Sequence, residues 1–201
     1  LGDVYKRQLE AAVQADARMP EAEDLFYQPL YNNRTVDDPV SERTYAAELG
    51  WRLTGPVLDL QATAFAVLTL DGTETRRYYD DMASVYCDMA VTGIGRLSYG
   101  VEAAADIRLS YRWRLSLAAS AGRYKYARDP VVTVLSDVDN SAVDLRAVSR
   151  MGGCETGGAP QLTAAAELAW FGTKGWGCRA SAGYAGRRYV EPMPCLLYTS
   201  P

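Results

Sequence analysis

The sequence predicts an all-β fold: part of a large antiparallel transmembrane β-barrel, contributed here as an open, curved sheet of long hairpins. Three observations predict it: strict two-residue alternation, strands long enough to cross a bilayer, and turns that alternate between short and long. The clearest stretch is 97–126, where apolar residues occupy every odd position from Leu97 to Leu109. A period of two is that of a strand with one apolar and one polar face. The thirteen residues from 97 to 109 rise roughly 43 Å, which a tilt near 45° converts into about 30 Å, the thickness of a bilayer core.

The same pattern places the other elements. In chain order, strands are predicted at 9–17, 44–53, 57–70, 97–109, 113–121, 161–171 and 176–184. The first of these would also suit a helix. Prolines, glycines, asparagines and aspartates predict a loop at 18–43, short turns at 54–56, 110–112 and 172–175, and long polar connections at 71–96 and 127–160. Parts of the connection at 71–96 could extend the strands beside it. Short turns on one rim and long loops on the other are typical of outer-membrane barrels.

Aromatic side chains follow the strand ends. The tryptophans lie within a few residues of a short turn and predict an interface aromatic belt of Trp51, Trp113, Trp170 and Trp176. Tyrosines gather toward the long-loop ends, at Tyr78, Tyr79, Tyr86, Tyr124, Tyr126, Tyr184 and Tyr189. Amphipathic rings prefer the membrane–water boundary, so two belts at opposite strand ends fit a spanning barrel. The alternative fold is a soluble β-sandwich whose aromatics pack a core.

The two ends of the sequence carry a relation of their own. A DNA string that encodes residues 3–8 overlaps, as a reverse complement, with a string that encodes residues 195–200. The shared DNA sequence resembles a transposase adapter used in sequencing libraries. We therefore expect residues 1–8 and 195–201 to be adapter-derived and not part of the natural fold, and residues 9–194 to be a partial β-barrel domain.

Composition excludes several function classes. A net charge of -4 argues against a nucleic-acid partner. No run approaches 18 consecutive apolar residues, so no transmembrane helix is predicted. The chain has no histidine, which removes histidine-containing metal sites and Ser-His or Asp-His catalysis. The acidic stretch beginning at Asp137 lacks the glycine and glutamate of a calcium loop, having Ala142 and Val148 there. We expect no enzyme, no cofactor and no metal; a disulfide between Cys87 and Cys154 stays open.

Two groups of residues are candidates for function. Charged side chains at polar strand positions would line a lumen: Glu48, Arg52, Glu102, Asp106, Arg108, Glu167 and Arg179. They are either a hydrated path with a docking surface or a generic polar barrel interior. A second group, Tyr78, Tyr79, Asp80 and Asp81 with Tyr86 and Asp88, is a candidate ligand-facing loop, because aromatic and acidic groups suit sugars or metal chelates. A solvated loop is the alternative.

Three stretches resemble the TonB-dependent outer-membrane receptors, in particular those of the Bacteroidetes type. Residues 18–27 and 39–50 are similar to the family's R-x-P…LY segment and the P-E-x-S…E-L-G strand that follows it. Residues 93–102 resemble its R-x-x-G-V-E strand, and 158–192 its G-T-P-Q…Y-x-G-x-R-Y-V-x-P segment. The chain departs from these motifs at Ser41, where the family tends to have proline, and at Ala159 in the G-T-P-Q position.

The resemblance implies a receptor in a Gram-negative outer membrane that imports a siderophore, cobalamin or glycan with TonB-supplied energy. It implies outer-membrane lipid, a plug domain and TonB as partners, the last two matching nothing in this sequence, and a surface lipoprotein as a further candidate. Two alternatives stay open: a passive porin or other outer-membrane barrel, and a soluble β-sandwich binding module.

Overall fold

The computed structural model describes residues 5–28, 30, 32–81 and 84–190, with side chains left aside at 32 and 144–147. The described chain contains eleven β-strands: β1 Lys6–Arg18, β2 Phe26–Gln28, β3 Asn32–Thr35, β4 Glu42–Thr54, β5 Leu58–Asp80, β6 Val85–Arg108, β7 Trp113–Tyr126, β8 Val131–Ser136, β9 Ala142–Val148, β10 Leu162–Phe171 and β11 Gly177–Ala185. No helix in these ranges is long and apolar enough to cross a membrane. The predicted all-β class is confirmed.

Seven strands form one open antiparallel sheet, called the wall, in the order β1-β4-β5-β6-β7-β10-β11. Every predicted strand lies in it. The strand predicted at 9–17 is β1, which begins at Lys6. Residues 6–8 are therefore the first residues of this strand. Residues 1–4 and 191–201 lie outside the described residues. The adapter origin of the two ends stays a prediction.

The edges of the wall slope relative to its pairing rows. Through successive partners, Asp16 of β1 lies in the row of Arg96 of β6, and β1 continues two residues further, to Arg18. Ala185, the last residue of β11, lies in the row of Glu102. The end of β1 thus lies two rows beyond the row of Arg96, and the end of β11 lies six rows short of it. The long-loop edge of the wall therefore shifts by eight rows over the six strand-to-strand steps from β1 to β11. This shift is about 1.3 residues per step, or roughly 4.4 Å along the strand for each 4.8 Å between neighbouring strands. It corresponds to a strand tilt of about 40°, within the range of transmembrane barrels.

Beyond the wall, β5 and β6 continue into a second body, called the lobe. The connection predicted at 71–96 is mostly strand: β5 runs to Asp80 and β6 starts at Val85, so the two extend as one hairpin. The long loop predicted at 127–160 is also partly wrong, because it contains β8 and β9. β8 pairs with the extension of β6, and β9 pairs with β8.

Register shifts mark the joint between wall and lobe. The β5–β6 pairing shifts on both sides of Gly72, beside a left-handed Asp71 with φ of 62°. Asp71 accepts hydrogen bonds from Arg43 of β4 and, at 2.9 Å, from Arg128 after β7. Opposite charges thus tie neighbouring strands together where the regular ladder is interrupted.

The clusters of buried side chains lie in the lobe and where it meets the end of β7, and do not extend across the wall. On one side of the lobe sheet, a first cluster consists of Cys87, Met89, Val91, Ile94, Tyr126, Val132, Val134 and Met151, with Tyr78, Val85 and Cys154 packed against it. On the other side, the β2–β3 hairpin covers a second cluster of Tyr27, Val36, Ala90 and Leu135. Tyr78 and Tyr126, expected in an exposed tyrosine belt, therefore belong to a protein core.

The question of a disulfide is answered by position. Cys87 pairs with Tyr78 near the tip of the lobe. Cys154 lies at its base, where its carbonyl accepts the amide of Tyr126, a residue paired with Arg96. Cys87 and Arg96 are nine positions apart on β6, roughly 30 Å along the strand, whereas a disulfide needs Cα atoms within about 7 Å. Both thiols are free.

Candidate functional site

The wall has two chemically different faces, and its register defines them. Directly paired residues of an antiparallel sheet project to the same side. Trp51, Ala62, Ala103, Ala119 and Ala164 form one such row across five strands. The face that carries this row, called the apolar face, includes Leu9, Val13, Tyr45, Leu49, Leu60, Leu68, Val101, Leu115, Leu117, Leu168 and Tyr184. Many of these large side chains are exposed, and no described residue forms a second layer over them, which excludes the sandwich alternative for these strands.

The opposite face, called the polar face, carries all seven charged residues predicted for a lumen. Their cross-strand partners are mostly polar or small, for example Thr63 and Ser120 beside Glu102. The seven residues are spread over four strands: Glu48 and Arg52 on β4, Glu102, Asp106 and Arg108 on β6, Glu167 on β10 and Arg179 on β11. The structure brings one pair together, Arg179 and Glu167, with Nε and Oε1 3.9 Å apart. The rest are separate.

Small polar contacts hold three more of the charged side chains of the polar face. Ser116 donates a hydrogen bond to Asp106, and Ser120 donates one to Glu102 at 3.5 Å. The Arg108 guanidinium donates to the carbonyl of Pro56 at 3.0 Å. These are single, partly exposed contacts and not a catalytic constellation. The face is a broad, hydrated surface.

Three of the four predicted belt tryptophans share the apolar face near the short turns. Trp113 pairs directly with Trp170, and Trp51 lies on the same face of β4. Trp176 precedes β11 in the turn and is largely exposed. All four therefore lie at one end of the wall.

One strand spans the apolar band from end to end. On β7, the apolar face runs from Trp113 through Leu115, Leu117, Ala119 and Ala121 to the first charge, Arg123. Trp113 and Arg123 are ten positions apart, roughly 33 Å along the strand and about 25 Å of height at a tilt near 40°. That is the height of the apolar band on outer-membrane barrels.

The predicted ligand loop is the strand hairpin at the tip of the lobe, and alternation divides its residues. Tyr78 faces the first cluster, whereas Tyr79 is half-exposed on the other side, edge-to-face with Tyr86 at 5.0 Å. Asp80 ends β5 and Asp81 lies in the turn. The four residues therefore do not form one surface.

The sequence did not predict that Arg77 and Asp137 lie beside the exposed pair Tyr79 and Tyr86. The Arg77 guanidinium lies 4.8 Å from the ring centre of Tyr86 and is hydrogen-bonded to Asp137, which follows β8. Arg77 is sixty residues from Asp137 in the chain, so only the pairing of β8 with β6 brings them together. A cation on an aromatic ring, fixed by a carboxylate, is a preorganised polar surface.

A buried carboxylate lies beneath this surface. Asp88 is 1% exposed, and neither of its oxygens accepts a hydrogen bond. Its nearest opposite charge is the Arg77 Nε, 3.8 Å from Oδ1. Burial raises the pKa of Asp88, partly opposed by Arg77 and reinforced by the charge of Asp137. Loss of water outweighs the attraction of the arginine.

The raised pKa of Asp88 predicts a stability that falls as pH rises. Well below the ordinary carboxyl pKa both the folded and the unfolded state are protonated; between that pKa and the raised folded-state pKa only the folded state keeps the proton. Stability therefore decreases until the raised folded-state pKa is passed. We expect Asp88→Asn to remove this decrease and to be more stable than wild type at neutral pH by about 1–3 kcal/mol. Urea unfolding of the lobe from pH 4 to 8 measures it.

The matched control for Asp88 is Asp81→Asn. Asp81 is exposed in the turn at the tip of the same hairpin. This control should keep the wild-type pH profile. A profile for Asp88→Asn that overlays wild type would contradict the assignment.

The acidic turn after β8 forms local contacts. Asp139 accepts the amide of Ser141 at 3.0 Å, an Asx-type turn. Within the described ranges, no three His, Cys, Asp or Glu residues lie close enough to hold a metal.

A wall with one lipid-compatible face about 25 Å tall and one hydrated face is that of an outer-membrane β-barrel. A family model described as TonB dependent receptor-like, beta-barrel matches residues 17–194, and the chain belongs to this family. The resemblance to the TonB-dependent receptors read from the sequence motifs is thus confirmed. No curated protein and no solved structure matches the chain. The family is one of outer-membrane transport receptors that act with a plug domain and TonB, and it is not an enzyme family.

Proposed function

We propose that this chain forms part of the wall and an outer lobe of a receptor that imports a siderophore, cobalamin or glycan with energy supplied through TonB. The observation that carries the proposal is the two-faced wall, whose apolar face is lipid-compatible over about 25 Å. A passive porin would share that wall. The lobe, with its own buried core at the long-loop end, favours a receptor because it holds a shaped surface in front of the lumen.

We assign the polar face to the lumen. Glu48, Arg52, Glu102, Asp106, Arg108, Glu167 and Arg179 then present charge of both signs to a hydrated interior. Such a surface suits reversible docking of a plug domain, because exposed, solvated ion pairs contribute little binding energy each. The four tryptophans would anchor the short-turn end at the membrane boundary.

We assign ligand capture to the tip of the lobe. Tyr79 and Tyr86 offer half-exposed rings, and Arg77 and Asp137 offer a donor and an acceptor beside them. Rings suit the faces of sugars or aromatic chelators, and the arginine suits anionic chelates. Tyr78 contributes to packing instead, and Asp80 and Asp81 form the rim.

Two tyrosine variants, one at the tip of the lobe and one at the opposite end of the wall, test whether the lobe tip captures the ligand. Full-length protein in a host lacking its own receptors is assayed for uptake of a ferric catecholate, cyanocobalamin and a maltooligosaccharide, with and without TonB. We expect one probe to accumulate only with TonB. The double variant Tyr79→Ala/Tyr86→Ala should weaken its uptake about tenfold, since each ring contact contributes about 0.5–1.5 kcal/mol.

The control variant is Tyr111→Ala. Tyr111 is fully exposed in the short turn between β6 and β7, at the opposite end of the wall, and its loss should leave uptake unchanged. Uptake that is independent of TonB would favour the porin. Equal losses in both variants would remove the lobe tip as the capture surface.

A further inference from the structure

Beyond Arg7, which pairs with Leu53 within the stretch expected to be adapter-derived, charge on the apolar face is confined to one end and has one sign. On the described wall strands from residue 9 onward, the charged residues of that face are Arg43 on β4 and Arg123 and Lys125 on β7. All three lie at the long-loop end, opposite the tryptophans. Acidic residues are absent from the same positions. From residue 9 onward, the apolar face is therefore positively charged only at its long-loop end.

The three cations differ in how far they are neutralised. Arg43 is bonded to Asp71. Arg123 and Lys125 share one carboxylate oxygen, Oε1 of Glu155, at 3.0 and 3.8 Å. Their side chains are 57% and 35% exposed, whereas that of Glu155 is 15% exposed. The pair therefore carries one net positive charge and presents cations, not the carboxylate, to its surroundings.

The surroundings of the pair are those of a membrane boundary. Tyr99 pairs directly with Arg123 and Leu97 with Lys125 on β6, and the apolar band begins one outward position below, at Ala121. Long cationic side chains in this position extend their stems along apolar surface and place their charge at the headgroups. The level is about 25 Å above Trp113, at the far side of the apolar band.

We propose that Arg123 and Lys125 form a binding site for the phosphate-bearing headgroup of an anionic lipid, in the leaflet on the long-loop side. A guanidinium and an ammonium side by side match a phosphate, the arginine as a planar donor fork and the lysine as a point charge. A zwitterionic headgroup carries its own cation and gains little. The inference rests on the proposed function in one respect, that the apolar face meets lipid.

The test compares two lipids competing for the same protein. Full-length protein is reconstituted into phosphatidylcholine vesicles with a minor fraction of phosphatidylglycerol of the same chains, then extracted, and retained lipids are counted by native mass spectrometry. One net charge at a membrane surface corresponds to about 1 kcal/mol, which is about fivefold. We expect about fivefold enrichment of phosphatidylglycerol over its fraction in the vesicles.

Variants shift that ratio in both directions. Arg123→Gln/Lys125→Gln leaves Glu155 alone and should give about fivefold depletion, while Glu155→Gln should raise enrichment to about 25-fold. Arg114→Gln, on the polar face of the same strand, should leave it unchanged. A rise in enrichment with Glu155→Gln, opposite in direction to the change in the double variant, would not be produced by misfolding alone, so the two variants separate charge from stability.

Three results would overturn an assignment. Inserted wild-type protein that retains the two lipids in their vesicle ratio overturns the headgroup site and leaves the proposed function standing. Wild-type protein that fails to insert into the vesicles overturns the proposed function itself. Loss of enrichment on adding inorganic phosphate, but not chloride of equal ionic strength, makes the site one for free anions and overturns its assignment to lipid.

Discussion

Replacing Ala103 with arginine is expected to destabilise the protein in a bilayer by about 2–4 kcal/mol, while the same replacement at Ala104 should cost little. Ala103 pairs with Ala119, which lies midway on β7 between Trp113 and Lys125 and therefore near the bilayer midplane. An arginine there must leave water or distort the membrane. Chemical unfolding of the full-length protein from phosphatidylcholine vesicles measures the difference.

Ala104 is a closely matched control. Both alanines are exposed, adjacent on β6, and paired to an alanine on β7. Because both changes replace an alanine with arginine on the same strand, the effects of strand propensity and side-chain size cancel in the comparison. The two positions differ only in the face of the wall to which they project. Equal costs at the two positions would contradict lipid on one face and water on the other. A larger cost at Ala104 would reverse the assignment of the faces.

The wall could be predicted from the sequence because each of its faces meets one environment. A strand with lipid on one side and water on the other must alternate, and alternation over seven strands fixes which residues share a face. The seven charged residues of the polar face and three of the tryptophans follow from that pattern alone. Their pairing rows do not, since register depends on partners elsewhere in the chain.

The lobe was missed because its strands meet protein on both sides. In β8, Val132 and Val134 enter the first cluster while Leu135 enters the second, so the run 131–135 is apolar except for the buried Thr133 and shows no clear period of two. Such a run is the signal of a strand buried on both faces. Flanking aspartates, serines and glycines made it resemble part of a loop.

The candidate ligand surface was only half predictable for the same reason. Tyr79 and Tyr86 are close in sequence and could be grouped by composition. Arg77 and Asp137 come together only through the β8–β6 pairing, and Tyr78 leaves the group because alternation turns it into the core. Composition identified the region, but the fold selected its members.

Wall and lobe are therefore stabilised by different environments, and replacing Leu135 with alanine should separate them. Leu135 is 1% exposed and is among the largest fully buried side chains of the described residues. Removing its buried methyl groups should cost about 2–5 kcal/mol. Because the wall has no such core, we expect the loss to appear in the lobe: its amides should exchange faster with solvent while wall amides held in lipid keep their protection.

Val138→Ala is the control for this change. Val138 lies in the turn after the same strand and is mostly exposed, so its truncation should leave exchange unaltered in both bodies. If Leu135→Ala accelerated exchange equally in the wall and the lobe, the two would unfold as one unit. The lobe would then be an extension of the barrel whose capture surface could not change shape while the wall stayed intact. Selective loss would instead define the lobe as a separately stabilised body, able to rearrange around a ligand without disturbing the membrane-spanning strands.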